Sequence, residues 1–143
     1  MLQIYLCILF TDKRIVAFQT RLKNDIRNLP SYAVVKFDHI ITNIGNAYDK
    51  GTGYFTCPEE GVYSFSWSFL TSPGKVFHTE LVVDGTVITF TFLDARDQSK
   101  IRLGSSNSAV AKLKSGNKVW LRTHGTNGHY TQMNWSSFSG FRI

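Results

Sequence analysis

The sequence predicts an all-β domain built as a two-sheet sandwich or jelly roll. No stretch repeats apolar residues at helical spacing over three turns, whereas short β-branched and aromatic runs recur between turn residues. The chain has 143 residues, of which 43% are apolar and 18% charged, so it is long enough to bury a core as one domain. Two cysteines, Cys7 and Cys57, are too few for a disulfide framework or a four-ligand zinc site.

The N-terminal segment 1–14 is set apart from the domain predicted at 15–143. Its apolar run, 2–10, is far shorter than the roughly 20 residues of a membrane-spanning helix. It lacks a preceding basic stretch and a small-residue cleavage site, so it is interpreted as the remnant of an export signal or as an extra edge strand. Its removal would leave Cys57 alone, as a buried small hydrophobic residue rather than a nucleophile.

Short runs of strand-forming residues predict the first half of the sandwich, at 15–22, 33–37, 40–42 and 53–56. Residues 63–69 then alternate aromatic side chains with serines, which predicts a strand with an aromatic face and a face of small polar groups. The aromatic face belongs inside. The serine face is narrow enough for another chain to approach closely, although plain solvent exposure has the same pattern.

Two turn signals predict hairpins in the second half. Asp84-Gly85 is a two-residue turn whose positive φ angles match the twist of paired strands. Gly116, within the turn 114–117, supplies the backbone angle for a second hairpin. The strands beside these turns and the last strand are predicted at 80–83, 86–90, 108–113, 118–123 and 137–143.

Positive charge is concentrated in the last third of the chain. The net charge is +6, and residues 98–143 hold seven basic side chains and no acidic one. Such a charge excess indicates either a solvated face that keeps the domain in solution or a surface that binds anions. The candidate anion-binding residues are Arg96, Lys100, Arg102, Lys112 and Lys114.

A second candidate recognition surface comes from the predicted loop 124–130. Aromatic rings stack on sugar faces, and Asn and His side chains form hydrogen bonds, although Gly and Asn are equally typical of plain connecting loops. Asn134 begins an acceptor pattern for N-glycosylation, and a glycan on Asn134 would cover the neighbouring Trp135. The candidate ligand-binding residues here are His124, Asn127, His129, Tyr130 and Trp135.

Catalytic motifs are absent from the sequence, which has no nucleophile elbow, phosphate-binding glycine loop, H-E-x-x-H or C-x-x-C pattern. Glu59 and Glu60 lie in a turn, where carboxylates are usually solvated. The histidines have no metal-ligand spacing. The chain is therefore predicted not to be an enzyme and to require no cofactor.

A series of aromatic, asparagine and glycine residues with fixed spacing begins at Phe37. Its members are Phe37, Asn43, Tyr48, Phe55, Gly61, Tyr63, Phe65, Phe138, Gly140 and Phe141. The run TNIGNAYD at 42–49 and the stretches 109–121 and 138–141 complete the pattern. This pattern resembles the C1q-type globular domain of the complement C1q and tumour necrosis factor-like superfamily, and the resemblance covers residues 15–143.

The resemblance implies a jelly-roll β-sandwich of about ten strands in two antiparallel sheets, assembling as a compact homotrimer. The aromatic members of the series are then core or trimer-axis residues. Gly61 and Gly140 suit places where a side chain would obstruct a turn or close packing. Trp67 stands where the pattern usually has Phe or Tyr. The sequence contains no Gly-X-Y collagen segment, so it resembles a head-only member.

The resemblance also implies a calcium site, because some C1q-type domains hold calcium near the trimer apex. Asp94 and Asp97 lie in the corresponding connection, and carboxylate oxygens suit this ion. Arg96 stands between the two acids and Lys100 follows them, which favours an ordinary solvated loop. If the loop does bind calcium, the predicted metal residues are Asp94 and Asp97, and the fold is not predicted to require the ion.

The resemblance to lectin-like C1q-domain proteins implies a secreted, non-enzymatic pattern-recognition protein of innate immunity. Its partners are predicted to be itself, as a homotrimer, and microbial surface polysaccharide, lipopolysaccharide or acidic glycans. The alternative is a soluble cytokine-like ligand for a cell-surface receptor. Nucleic-acid binding ranks last, because exposed aromatics are not interleaved with the basic residues.

Overall fold

Two antiparallel β-sheets enclose the core of the domain. The computed structural model describes residues 14–143, so the predictions made for the N-terminal run and Cys7 lie outside the described residues. The predicted all-β jelly roll is confirmed, with eleven strands between residues 14 and 143. These are β1 (Ala17–Arg21), β2 (Ile26–Leu29), β3 (His39–Ile44), β4 (Tyr48–Asp49), β5 (Tyr54–Thr56), β6 (Gly61–Thr71), β7 (Phe77–Val83), β8 (Thr86–Thr91), β9 (Leu103–Leu113), β10 (Lys118–Thr131) and β11 (Ser137–Arg142), with a 3-10 helix at Met133–Trp135.

The two sheets differ in strand order. The five-stranded sheet has the order β3-β1-β11-β6-β9. The six-stranded sheet has the order β4-β5-β10-β7-β8, with β2 also pairing with β10. Strands β1 and β11 are far apart in the chain but adjacent in space, and non-local pairings of this kind characterise jelly-roll folds.

Aromatic rings fill the space between the sheets. The predicted inward face of β6 is confirmed, because Tyr63, Phe65, Trp67 and Phe69 are all at most 2% exposed. Rings from the two sheets meet at close range, since Phe18 of β1 stacks on Phe55 of β5 with centroids 5.4 Å apart. Within its own sheet, Phe18 packs edge-on against Phe138 with centroids 5.0 Å apart. Such offset and edge-on pairs stabilise a core beyond the area they bury.

Tyr48 joins the segment before β3 to the sandwich through its hydroxyl. The hydroxyl donates to the carbonyl of Phe37 at 2.9 Å and accepts from the N–H of Phe37 at 3.0 Å. Burial raises the pKa of Tyr48 far above its usual value, so the hydroxyl keeps its proton and can donate. Asn43 fixes the backbone of Tyr48 in turn, donating to its carbonyl at 2.9 Å and accepting from its N–H at 3.2 Å.

We expect Tyr48→Phe to lower the free energy of unfolding by about 1–3 kcal/mol, because both backbone groups of Phe37 then stay buried without their partner. Equilibrium denaturation in urea measures the loss. Tyr54→Phe is the matched control, since it removes the same hydroxyl from a partly exposed ring that packs against Trp120 on the outer surface. Equal stability of the two variants would contradict this role of Tyr48.

The hairpin predicted at Asp84-Gly85 is confirmed. Both residues have positive φ angles, 48° and 86°, and Val83 pairs with Thr86 across the turn. Asp84 also accepts hydrogen bonds from Asn117 and from the backbone of Lys118, which ties this hairpin to the start of β10. The local turn signal was therefore sufficient to place β7 beside β8.

The second predicted hairpin is wrong, because β9 and β10 lie in different sheets. Strand β9 pairs with β6, whereas β10 pairs with β7. The turn has the expected glycine geometry, with φ of 90° at Gly116, but its backbone bonds to Cys57 instead of closing a ladder. A turn residue indicates the local backbone φ angle, but it does not indicate which strand pairs with the strand that follows.

The strand predicted at 33–37 is also wrong. This segment forms one isolated bridge, between Val34 and Arg122. Two hydrogen bonds flank it, from the N–H of Val35 to the carbonyl of Leu121 and from the N–H of Thr123 to the carbonyl of Ala33. Val35 and Phe37 are nevertheless fully buried. The apolar residues of this segment correctly predicted that it is buried. A buried segment, however, does not have to form a continuous ladder of strand hydrogen bonds.

Candidate functional site

The outward surface of the five-stranded sheet carries mainly small side chains and few charged ones, and we call it the serine face. One row across all five strands runs Ile44, Ala17, Phe141, Ser64 and Val110. The ring of Phe141 is 52% exposed. Further rows are filled mainly by serines, which permit close approach of another flat surface. The serine face comprises this row with Ser66, Ser68, Ser106, Ser108, Ser137 and Ser139.

The predicted anion-binding residues fall at the two ends of β9. Lys100 and Arg102 precede the strand, while Lys112 and Lys114 lie at its far end. Ten residues of extended chain separate Arg102 from Lys112, a distance of about 30 Å. All four side chains are exposed. The structure therefore divides the basic residues into two pairs that face opposite ends of the domain.

Arg96 is not a free cation, because it is bound to Asp94. Its Nε donates to Oδ1 of Asp94 at 2.9 Å and its Nη2 donates to Oδ2 at 2.6 Å. Hydrogen bonds from the Arg96 side chain hold the pKa of the Asp94 carboxyl well below its usual range. Asp97 accepts from the side chain of Gln98 at 3.3 Å.

Calcium binding at this loop stays a prediction, and on this geometry it requires the ion to displace Arg96 from both oxygens of Asp94. Oxygen ligands in sufficient number are the main requirement for calcium. Within residues 14–143 there is no group of three or more His, Cys, Asp or Glu side chains arranged to hold a metal. Backbone carbonyls and water would therefore have to supply most of the coordination.

The loop conformation predicted for 124–130 is wrong, because these residues continue strand β10. A bulge between Thr123 and Gly128 interrupts the pairing with β7, and the strand then pairs with β2. Gly128 permits this approach, since an added Cβ would lie 3.0 Å from the carbonyl oxygen of Leu29. The glycine content therefore reflects close strand packing rather than a loop.

The residues predicted within that segment do not form one surface. Tyr130 is buried and its hydroxyl donates to Asp25 at 3.0 Å. Asn127 donates to the carbonyl of His124 at 3.1 Å, within the bulge. His129 is partly buried, and its backbone N–H donates to the carbonyl of Val76. His124 alone among them reaches the hollow described next.

A small hollow lies on the outer face of the six-stranded sheet, and we call it the imidazole pocket. Its volume is about 210 Å³. Two rings from the β8 side, Phe90 and Phe92, are 55% and 74% exposed beside it. Strands β7 and β10 supply the opposite wall. The pocket is lined by His78, Thr79, Phe90, Thr91, Phe92 and His124.

A buried carboxylate fixes the orientation of His124. Glu80 is only 2% exposed, although it lies on the outer side of β7. Its Oε1 accepts from Nε of Arg122 at 2.6 Å, and its Oε2 lies 3.0 Å from Nδ1 of His124. The charge of Glu80 is thus offset by Arg122, as a buried carboxylate requires.

His78 is fixed by the backbone and by an aromatic neighbour. Its Nδ1 accepts from the N–H of Leu93 at 3.0 Å, and its ring stacks on Phe92 with centroids 4.5 Å apart. Burial lowers the pKa of His78 below its usual value, which favours the neutral imidazole. The proton of that neutral ring therefore lies on Nε2.

Tyr32 completes this surface in a strained backbone conformation. Its φ is 56°, in the left-handed region that non-glycine residues rarely adopt. The exposed ring lies edge-on to His124 at 6.3 Å, and the guanidinium of Arg122 lies 5.2 Å from its centroid. Strain of this kind persists where the surrounding structure enforces it, often at functional sites.

Trp135 lies elsewhere, in the 3-10 helix. It borders a separate hollow of about 350 Å³ at the end of β6 and β9, together with Ser68 and Gly104. Asn134 is exposed beside it, whereas Ser136 is buried and donates to the carbonyl of Gln132 at 2.7 Å. The predicted aromatic residue therefore does not contribute to the imidazole pocket.

Curated relatives cover most of this chain. Complement C1q tumor necrosis factor-related protein 3 of Homo sapiens is 34% identical over 130 residues, which are 90% of this chain and 51% of that protein. Heavy metal-binding protein HIP of Mytilus edulis is 32% identical over 131 residues, 90% of this chain and 60% of that protein. Caprin-2 of Danio rerio is 34% identical over 110 residues, 76% of this chain and 12% of that protein. The chain thus spans at most 60% of these relatives.

Solved structures share the fold, and a family model matches the sequence. The globular domain of zebrafish complement 1qA protein has a TM-score of 0.71 at 22% identity, covering 90% of this chain and 97% of that one. Eiger TNF from S. frugiperda has a TM-score of 0.73 at 11% identity, covering 92% and 94%. The C1q domain model matches residues 17–143. With this match over nearly all of the described residues, the chain belongs to the C1q domain family.

Proposed function

We propose that this chain is a secreted, non-enzymatic pattern-recognition protein of innate immunity, whose homotrimeric head binds microbial polysaccharide, lipopolysaccharide or acidic glycans. The observation that carries the proposal is the state of the basic side chains at the ends of β9. Lys100, Arg102, Lys112 and Lys114 are exposed and form no ion pair with any residue of 14–143. Unpaired cations of this kind can attract an anionic surface.

The serine face supports assembly into a homotrimer. Its central rows carry serines and apolar side chains, and its charged residues, Arg21 and Lys112, lie towards its margins. Burying such a face against another copy removes Phe141 and Val110 from water without burying an unpaired charge. Three heads that bind one array of surface ligands together gain about 10²–10⁴ in avidity over a single head.

In the described part of the chain, no helix has the length and apolar character that crossing a bilayer requires. The name of the Mytilus relative describes heavy-metal binding. The His, Cys, Asp and Glu side chains of residues 14–143 form no group of three or more that could hold a metal ion.

Salt dependence tests the anion-binding proposal. We expect binding to lipopolysaccharide vesicles to weaken as salt rises, because exposed charges are screened beyond roughly 8 Å at physiological ionic strength. Only one end of the domain can face a flat surface at a time. Two double variants test the two ends, Lys100→Ala with Arg102→Ala and Lys112→Ala with Lys114→Ala. One of the two should therefore lower the affinity by about twofold to fivefold for each charge removed.

The other double variant serves as the matched control and should leave the affinity unchanged. Surface plasmon resonance at low and high salt measures both effects. Binding that is independent of salt, or that neither double variant alters, would contradict the role given to these side chains.

A second candidate function is that of a soluble cytokine-like ligand for a cell-surface receptor. The likeness in fold to Eiger TNF supports it. Saturable binding to cells stripped of surface carbohydrate, together with no signal on a glycan array, would favour this function over glycan recognition.

A further inference from the structure

We propose that the imidazole pocket binds a single neutral pyranose ring. This inference deepens the proposed function and rests on it for the presence of a glycan ligand. The pocket and the basic side chains would recognise a glycan by different chemistry. The pocket, on the outer face of the six-stranded sheet, offers aromatic rings and hydrogen bonds, whereas the cations at the ends of β9 offer positive charge.

The two imidazoles present one donor and one acceptor. His78 accepts a hydrogen bond at Nδ1, so its neutral ring carries the proton on Nε2 and can donate there. His124 faces the carboxylate of Glu80 through Nδ1, so the proton on Nδ1 is held there, and the tautomer with this single proton can accept at Nε2. A hydroxyl group both donates and accepts, and it matches this pair.

The remaining wall of the pocket is apolar and aromatic. Phe90 and Phe92 expose much of their ring surface, and His78 covers only one side of Phe92. A pyranose has an apolar C–H face that can lie on such rings while its hydroxyls point away. The volume of about 210 Å³ is below the roughly 300–1,000 Å³ typical of pockets for larger ligands, so one ring fits.

The charges around the pocket cancel, which favours a neutral sugar over an acidic one. Arg122 is bound to Glu80 on one side. Arg96 is bound to Asp94 in the neighbouring hollow beyond Phe92. A carboxylate or sulfate in the pocket would lose hydration without meeting an uncompensated cation.

The contacts of Glu80 also fix the geometry before a ligand arrives. Its two oxygens hold Arg122 and His124, and Tyr32 lies against both of those residues. A binding group that is already oriented loses less conformational entropy when the ligand binds. We therefore assign Glu80 and Tyr32 as positioning residues, and His78, Phe92 and His124 as residues that touch the sugar.

Titration of the whole protein with methyl glucopyranoside, methyl galactopyranoside and methyl mannopyranoside tests this inference. Correlation spectra of the imidazole nitrogens should show shifts at His78 and His124 with at least one of these sugars, at low and high salt alike. His124→Ala and Phe92→Ala should each weaken binding about threefold to tenfold. His129→Ala is the matched control, because His129 is a histidine of β10 outside the pocket, and it should leave the affinity unchanged.

Three results would overturn the inference. The first is the absence of any shift at His78 and His124 up to the solubility limit of the sugars. The second is binding only of methyl glucuronide or of the phenol p-cresol, which would assign an acid or an aromatic ligand to the pocket. The third is sugar binding that survives both pocket variants. If salt-sensitive lipopolysaccharide binding persists in any of these cases, the proposed function stands and only the pocket assignment fails; if lipopolysaccharide binding is also absent, both fail.

Discussion

Gly140→Ala is expected to lower the free energy of unfolding by about 3 kcal/mol or more, at the upper end of the usual cost of overpacking a core. An added Cβ would lie 2.7 Å from Cε1 of Phe18 and 2.7 Å from Cδ1 of Phe65. Neither ring can move away easily, because Phe18 also packs on Tyr48 at 5.1 Å and Phe65 also packs on Phe55 at 5.4 Å between ring centroids. The glycine therefore permits the aromatic core to approach β11.

Chemical denaturation, followed by tryptophan fluorescence, measures this loss. Gly104→Ala is the matched control, since Gly104 lies in the same sheet and the nearest atom to its added Cβ is 3.6 Å away. That distance is an ordinary contact, so the control should change stability by less than about 1 kcal/mol, the intrinsic difference between glycine and alanine. Equal losses in both variants would show that the rings of Phe18 and Phe65 do not restrict this position.

Phe141→Asp is expected to abolish assembly while leaving each protomer folded. Phe141 follows Gly140 in β11 but points to the opposite side of the sheet, into the row that contains Ile44 and Val110. In a trimer built on the serine face, the new carboxylate would be buried without a partner. An unpaired buried charge costs about 3–5 kcal/mol, and every protomer would bring one to the interface.

Sedimentation velocity measures the loss of assembly, and circular dichroism checks that the strands remain. Ile88→Asp is the control, because Ile88 is a similarly exposed apolar residue on β8 of the other sheet. It should leave the sedimentation coefficient unchanged. A Phe141→Asp protein that assembles like the unaltered chain would exclude the serine face as the contact between protomers.

Local sequence patterns predicted the elements whose structure depends on neighbours in the chain. The alternation in residues 63–69 identified β6 and its buried face, and the Asp84-Gly85 pair identified the hairpin of β7 and β8. In both cases the deciding physics, side-chain alternation or turn geometry, acts within a few residues. The same signals failed at Gly116 and at 124–130, because the partner strands, β6 and β2, are distant in sequence.

The imidazole pocket could not be assembled from the sequence for the same reason. Glu80 is 42 residues from Arg122 and 44 from His124, and only the register of β7 with β10 brings these side chains together. One signal was available, since Glu80 is the one Asp, Glu, Lys or Arg residue in 76–83, where five of the eight side chains are apolar. A carboxylate in a strand that is otherwise buried requires partners. The sequence singled out His124 as a candidate ligand-binding residue, but it did not link His124 or Arg122 to Glu80.

The assembled mass of the whole protein tests the account most directly, since both the avidity argument and the burial of the serine face depend on it. Native mass spectrometry at micromolar concentration is predicted to give three times the chain mass of 16.2 kDa, with no dissociation when salt is raised. A monomer or a dimer under these conditions would contradict the trimeric head.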